Sequence, residues 1–150
     1  MKTFDVTTKE GIQDTKQWVL EIFNSVETAS SISEYSDKAF GWLATLIRIQ
    51  AMARSRLIKL DMELHRRSAV LLSKNVSAMS ELKYRVLDML CSTDELYVNL
   101  LEEKEKVVEI NSMTFQLIQL FDMVLKTTNK LIDLRKNEEY ATASMLRGQA

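Results

Sequence analysis

His65 is the only histidine in the chain and Cys91 the only cysteine. A metal centre, or a nucleophile with its base, needs several such groups brought together. No second histidine, no second cysteine and no HExxH spacing is present, so His65 is expected at the surface or in a structural role. Cys91 cannot form an internal disulfide and is expected to be a small buried apolar group. Glu102 with Glu103, and Glu138 with Glu139, are among the adjacent carboxylate pairs that acid/base chemistry would use. On a helix such neighbours diverge by about 100°, which separates them instead of pairing them. No glycine-rich loop is present to hold a phosphate. No catalytic, cofactor-binding or metal-binding residue is expected, and no cofactor.

Arg48, Arg54, Arg56, Lys59, Arg66 and Arg67 form the one basic concentration, offset by Asp61 and Glu63. Nucleic-acid recognition would need aromatic or base-reading side chains among these charges. They are missing, so a solvated face or an acidic protein partner is the expected reading. The net charge of -1 and pI near 5.9 give no general attraction to nucleic acid or to membranes. EEKEKVVE at 102–109 reads as an exposed mixed-charge helix face. Eight methionines are many for this length. Met79, Met89 and Met113 fall at core spacing, where methionine fills irregular gaps.

The elements that carry these residues are helical. Among 150 residues there is no proline and there are three glycines, which argues against tight turns and for long helices. One domain over 1–150 is expected, all-α. Three capping boxes mark helix starts: Thr7 with Glu10, Ser31 with Glu34, and Ser92 with Glu95. TASSIS (28–33) and CST (91–93) are the polar breaks, and Gly148 resembles a C-terminal stop. Helix 1 is expected over about 8–29, helix 2 over 32–90 and helix 3 over 93–147. A break near SKNVS (73–77) is the alternative; it divides helix 2 and gives four helices.

Helix 1 carries one apolar stripe, Ile12, Trp18, Val19, Ile22, Phe23, Val26 and Ala29, with Leu20 off it. A turn near residue 92 lays helix 3 back along helix 2 in an antiparallel hairpin, or coiled coil, with Leu60 facing Leu125, Leu64 facing Phe121 and Met89 facing Leu96. In that register the two arms are nearly equal. Helix 1 then packs on the open end, over 34–56, to make a three-helix arrangement.

Two stretches are apolar almost all round. FGWLATLIRIQAMAR (40–54) presents Phe40, Trp42, Leu43, Leu46, Ile47, Ile49 and Ala53. FQLIQLFDMVL (115–125) presents Phe115, Leu117, Ile118, Leu120, Phe121, Val124 and Leu125. Helix 1 is long enough to cover the first stretch and too short for both. The second is therefore expected to contact a partner, through Phe115, Leu117, Ile118, Phe121 and Leu125. The partner is a protein, either a second copy or a helical chaperone, and a homo-oligomer is expected.

Residues 43–64, LATLIRIQAMARSRLIKLDMEL, resemble the N-terminal helix of type III secretion needle-extension filament proteins, the EspA-like group, with Ile49, Gln50 and Ala51 matching its Ile-Gln-Ala step. Residues 12–23, ending in LEIF, resemble the short helix before it. NSMTFQLIQLFDMVLKTTNKLIDL (111–134) is similar to the family's closing coiled-coil helix. The likeness covers about half the chain. Residues 65–95 depart from it, lacking the glycine- and proline-bearing insert, and the family is usually longer. The resemblance implies a secreted filament or tip component that polymerises through that last helix and is masked beforehand by a chaperone. The alternative is an intracellular helical chaperone or adaptor. MKTFDVTTKEG has no signal-peptide pattern, and AFGWLATLI is too short to span a bilayer. A cytoplasmic start is expected, with any export by a route that cleaves no signal.

Overall fold

The computed structural model describes residues 4–28, 32–74 and 83–148, with side chains described except at 27–28, 32–37 and 83–84. These residues form four α-helices: α1 (Lys9–Thr28), α2 (Ile32–Lys74), α3 (Lys83–Thr93) and α4 (Glu95–Gly148). The long α2 and α4 pack antiparallel, α1 packs on α4, and α3 touches both long helices. The architecture is all-α, as the composition requires, and it is the four-helix version. In place of the single helix expected over 32–90 there are two, α2 ending at Lys74 and α3 starting at Lys83, and since α3 already packs against α2 the hairpin does not turn at residue 92.

The reversal was misplaced because CST looks like a turn but forms the last residues of α3. The Asp94 amide donates to the Leu90 carbonyl at 3.0 Å, and the Val98 amide donates to the Asp94 carbonyl at 3.0 Å. Asp94 is thus the last donor of α3 and the first acceptor of α4, and the i→i−4 ladder is interrupted at it. Asp94 caps α4, its Oδ2 accepting the Tyr97 amide at 2.8 Å. The Ser92 hydroxyl does not cap; it donates back to the Met89 carbonyl. At α1 the cap is Thr8, which accepts the Gly11 amide at 3.1 Å. Thr7 instead donates its amide and hydroxyl to Asp5, and those two bonds hold the Asp5 carboxyl below its ordinary range. The Ser31–Glu34 box lies outside the described residues. Gly148 ends α4 with no left-handed turn.

Ion pairs across the bundle fix the register. Arg56 Nη2 meets Glu103 at 2.6 Å, Lys104 meets Asp61 at 2.6 Å, and Arg67 meets Asp94 with both carboxylate oxygens, at 2.6 and 2.9 Å. The Trp42 and Phe121 rings lie 5.7 Å apart. Leu60 therefore faces the turn around Leu100, not Leu125, and Leu64 does not face Phe121. The arms are unequal, because α4 with 54 residues outruns α2 with 43.

This register resolves why two all-round apolar stretches coexist. They lie at one level of the bundle and cover each other. Ala39, Leu46, Ile49, Ala53 and Leu60 from α2 meet Val107, Ile110, Leu117 and Phe121 from α4, and α1 closes the third side with Ile12, Val19 and Ile22. The Lys16–Glu109 pair, at 2.6 Å, and the small cleft where Lys9 and Ile12 meet Asn99, Glu102, Glu103 and Lys106 show α1 running in the same sense as α4. Helix 1 thus rests mainly on α4, whereas it was expected to lie on 34–56. Two buried threonines are satisfied within their own helices: Thr15 donates to the Gly11 carbonyl and Thr114 to that of Ile110. Residues 4–8 fold over the start of α1, burying Val6 and stacking Phe4 against Trp18 at 4.7 Å.

Candidate interaction surfaces

The chemistry-bearing residues do not converge. His65 is exposed beside Ile58, Met62 and Arg66 in an open groove. Cys91 is buried, and loss of solvent pushes its thiol pKa up, with Asp88 and Asp94 adding to the effect. Glu103 is bound to Arg56 while Glu102 faces water. Among the described residues no group of three potential ligands could hold a metal ion, and no helix is long and apolar enough to cross a membrane. Of the basic cluster, Arg56 and Arg67 are engaged inside the bundle, and Arg48, Arg54, Lys59 and Arg66 remain exposed. The Arg67 guanidinium, with help from the Tyr97 amide, holds the Asp94 carboxyl down to about 2.

What the fold does present is uncovered apolar helix surface. The five residues expected to bind a partner divide. Leu117 and Phe121 are fully buried in the chain's own core, which removes them from any contact surface of the folded chain. Ile118 and Leu125 are partly buried and pack on that core, and Phe115 is 44% exposed. The sequence reading erred because a register shifted by about six helical turns left 115–125 without its true neighbour.

Two other surfaces are more open. On the outer face of α2, Phe40, Ala44, Ile47, Ala51, Ile58, Met62 and Ala69 are all exposed. Phe40 reaches 68% exposure and Ile58 64%. At 100° per residue these positions form one stripe about 44 Å long, opposite the core face. Arg48, Lys59 and Arg66 line one edge of it. Sequence periodicity contained this stripe, and it was missed because the whole stretch was assigned to helix 1 and helix 3.

The second surface is the end of α4. Every residue from Asn129 to Gly148 is exposed, a length of about 30 Å. Leu131, Ile132, Leu134, Tyr140, Met145 and Leu146 are its large apolar groups. Wheel positions place Val124, Thr128, Leu131, Arg135, Glu138, Thr142 and Met145 in a single line, flanked by Ile132, Glu139 and Leu146 on one side and by Leu134 and Ala141 on the other. Asn129, Asp133, Lys136, Asn137, Ser144 and Arg147 lie opposite. The line continues the α4 face that carries Ile110, Leu117 and Phe121 in the core. It stays bare because the register ends α1 and begins α2 near the level of Leu125–Leu131.

No family model, curated protein or solved structure matches this chain.

Proposed function

We propose that this chain is a non-enzymatic helical assembly protein that associates with copies of itself through the bare end of α4. In this reading it is a secreted filament or tip component of a bacterial type III secretion system, held in the cytoplasm before assembly and exported without a cleaved signal. The observation that carries the self-assembly is the amphipathic α4 end. A helix of about 20 residues is marginal in water without a packing partner, and the core-facing line of α4 runs on well past the neighbours that cover it. The outer stripe of α2 supplies a second contact surface, and two separate surfaces on one chain allow growth beyond a pair. The resemblance of residues 43–64 to filament subunits supports the secretion setting.

A second reading is an intracellular chaperone or adaptor for one partner helix. The basic edge of the α2 stripe favours it, since Arg48, Lys59 and Arg66 suit an amphipathic helix with an acidic edge. Light scattering coupled to size exclusion over a wide concentration range separates the two. Self-assembly predicts a mass that climbs with concentration. A monomer mass throughout overturns it and leaves the adaptor.

A further inference from the structure

We propose that the bare α4 ends of two copies pair antiparallel about a two-fold axis that passes between Lys136 and Asn137. The inference rests on the self-association proposed above and names its occupant and register. It comes from the order of side chains along the exposed line. About that axis Arg135 faces Glu138 of the second copy and Glu138 faces its Arg135. Leu131 faces Thr142 and Thr128 faces Met145, while Leu134 lies beside Ala141 on one flank and Ile132 beside Glu139 on the other. Large groups meet small ones, and the two charges in the middle of the apolar line meet their opposites.

No other simple pairing achieves this. Two copies in parallel and in register stack Arg135 on Arg135 and Glu138 on Glu138, and like charges at a packed seam are strongly unfavourable. A wholly apolar partner helix covers Leu131 and Met145 but leaves both charges without an intermolecular partner. The line repeats at alternating steps of four and three residues from Val124 to Met145, the spacing of a coiled-coil seam. It is also continuous with the face already packed inside the bundle, so the pair extends an existing seam and creates no new one. The contact is isologous and closes at two copies. The α2 stripe stays outside it.

The test is sedimentation equilibrium of the full chain with three variants. R135E alone, or E138R alone, sets like charges against each other at both symmetry-related contacts. Each should weaken association by roughly a hundredfold. The double variant R135E/E138R restores opposite charges and should associate like the parent. All of these positions are exposed and all of the new residues are helix formers, so circular dichroism should match the parent's. In a Cys91→Ser background, L131C and T142C chains should form a disulfide when mixed, and neither should crosslink alone. If single reversals leave association intact, or L131C chains crosslink to one another, the antiparallel pairing is wrong while self-assembly stands. If the parent is monomeric at every concentration, self-assembly itself falls.

Discussion

Replacing Phe121 with alanine should unfold the bundle far more readily than the same change at Phe115, six residues away on the same helix. The two phenylalanines look alike in the sequence and sit in one apolar run. In the fold Phe121 has no exposed surface, faces the Trp42 ring at 5.7 Å, and lies at the level where α1, α2 and α4 meet. Truncating a phenylalanine so enclosed costs about 3–5 kcal/mol, the sum of lost transfer energy and an incompletely relaxed cavity. For a chain of 150 residues each kcal/mol lowers the melting temperature by about 2–4 °C, so the midpoint should fall by about 10 °C. Phe115 is 44% exposed, and its truncation should cost about 1 kcal/mol by area. Thermal and urea unfolding followed by circular dichroism, at one protein concentration, measure both. Equal losses, or a larger loss at Phe115, would refute the register that puts Phe121 against Trp42.

Further predictions follow from other contacts. In a Cys91→Ser background, cysteines at Leu60 and Leu100 should crosslink within the chain and cysteines at Leu60 and Leu125 should not, because the latter pair sits about 37 Å apart along the bundle. Asp94 has a folded pKa of about 2 against an ordinary value of 3.8. A depressed carboxylate adds stability above pH 4 and loses it as pH falls toward 2. The stability gap between the parent and Asp94→Asn should therefore narrow over that interval in acid unfolding. Gly11→Ala, which in most helices would stabilise, should destabilise here. An added Cβ would lie 2.3 Å from the Asp5 carbonyl oxygen, so residues 4–8 must lift, and the Phe4–Trp18 contact should weaken in a fluorescence measurement. The Cys91 thiol should react slowly with a thiol reagent at pH 8 and quickly in urea, being buried and resistant to ionisation.

Composition and helical periodicity read well, whereas the caps, placed one or two residues early at Thr7 and Ser92, and the pairing did not. The lack of proline and the scarcity of glycine imply long helices, and the stripe Ile12, Val19, Ile22 marks the buried face of α1. Those depend on neighbours within a few turns. The register depends on where the chain reverses, and two polar breaks competed for that role. CST has the hydroxyl-rich look of a turn. Yet CST closes α3, Asp94 beside it caps α4 at once, and bidentate pairing with Arg67 fixes the junction against α2. Once the reversal moved, every facing pair moved with it. Leu117 and Phe121 became core, α1 settled on α4, and the surplus length appeared at the far end of α4. The surface proposed for association thus lies on the helix where one was expected, further along it. The α2 stripe was concealed for a different reason. Phe40 and Ile47 lie among residues that are buried, and all-round apolarity hides which side is wet.

The most direct test is to remove the bare end and ask what changes. A chain cut after Thr128 keeps all the residues of the core and loses the exposed line from Leu131 to Met145. Light scattering coupled to size exclusion, beside a melting curve, should show the full chain growing in mass with concentration. The shortened chain should lose the α4 pairing and associate far more weakly, with its dilute melting temperature unchanged. A shortened chain that associates as strongly as the full one would contradict the account and move the assembly surface to the outer face of α2.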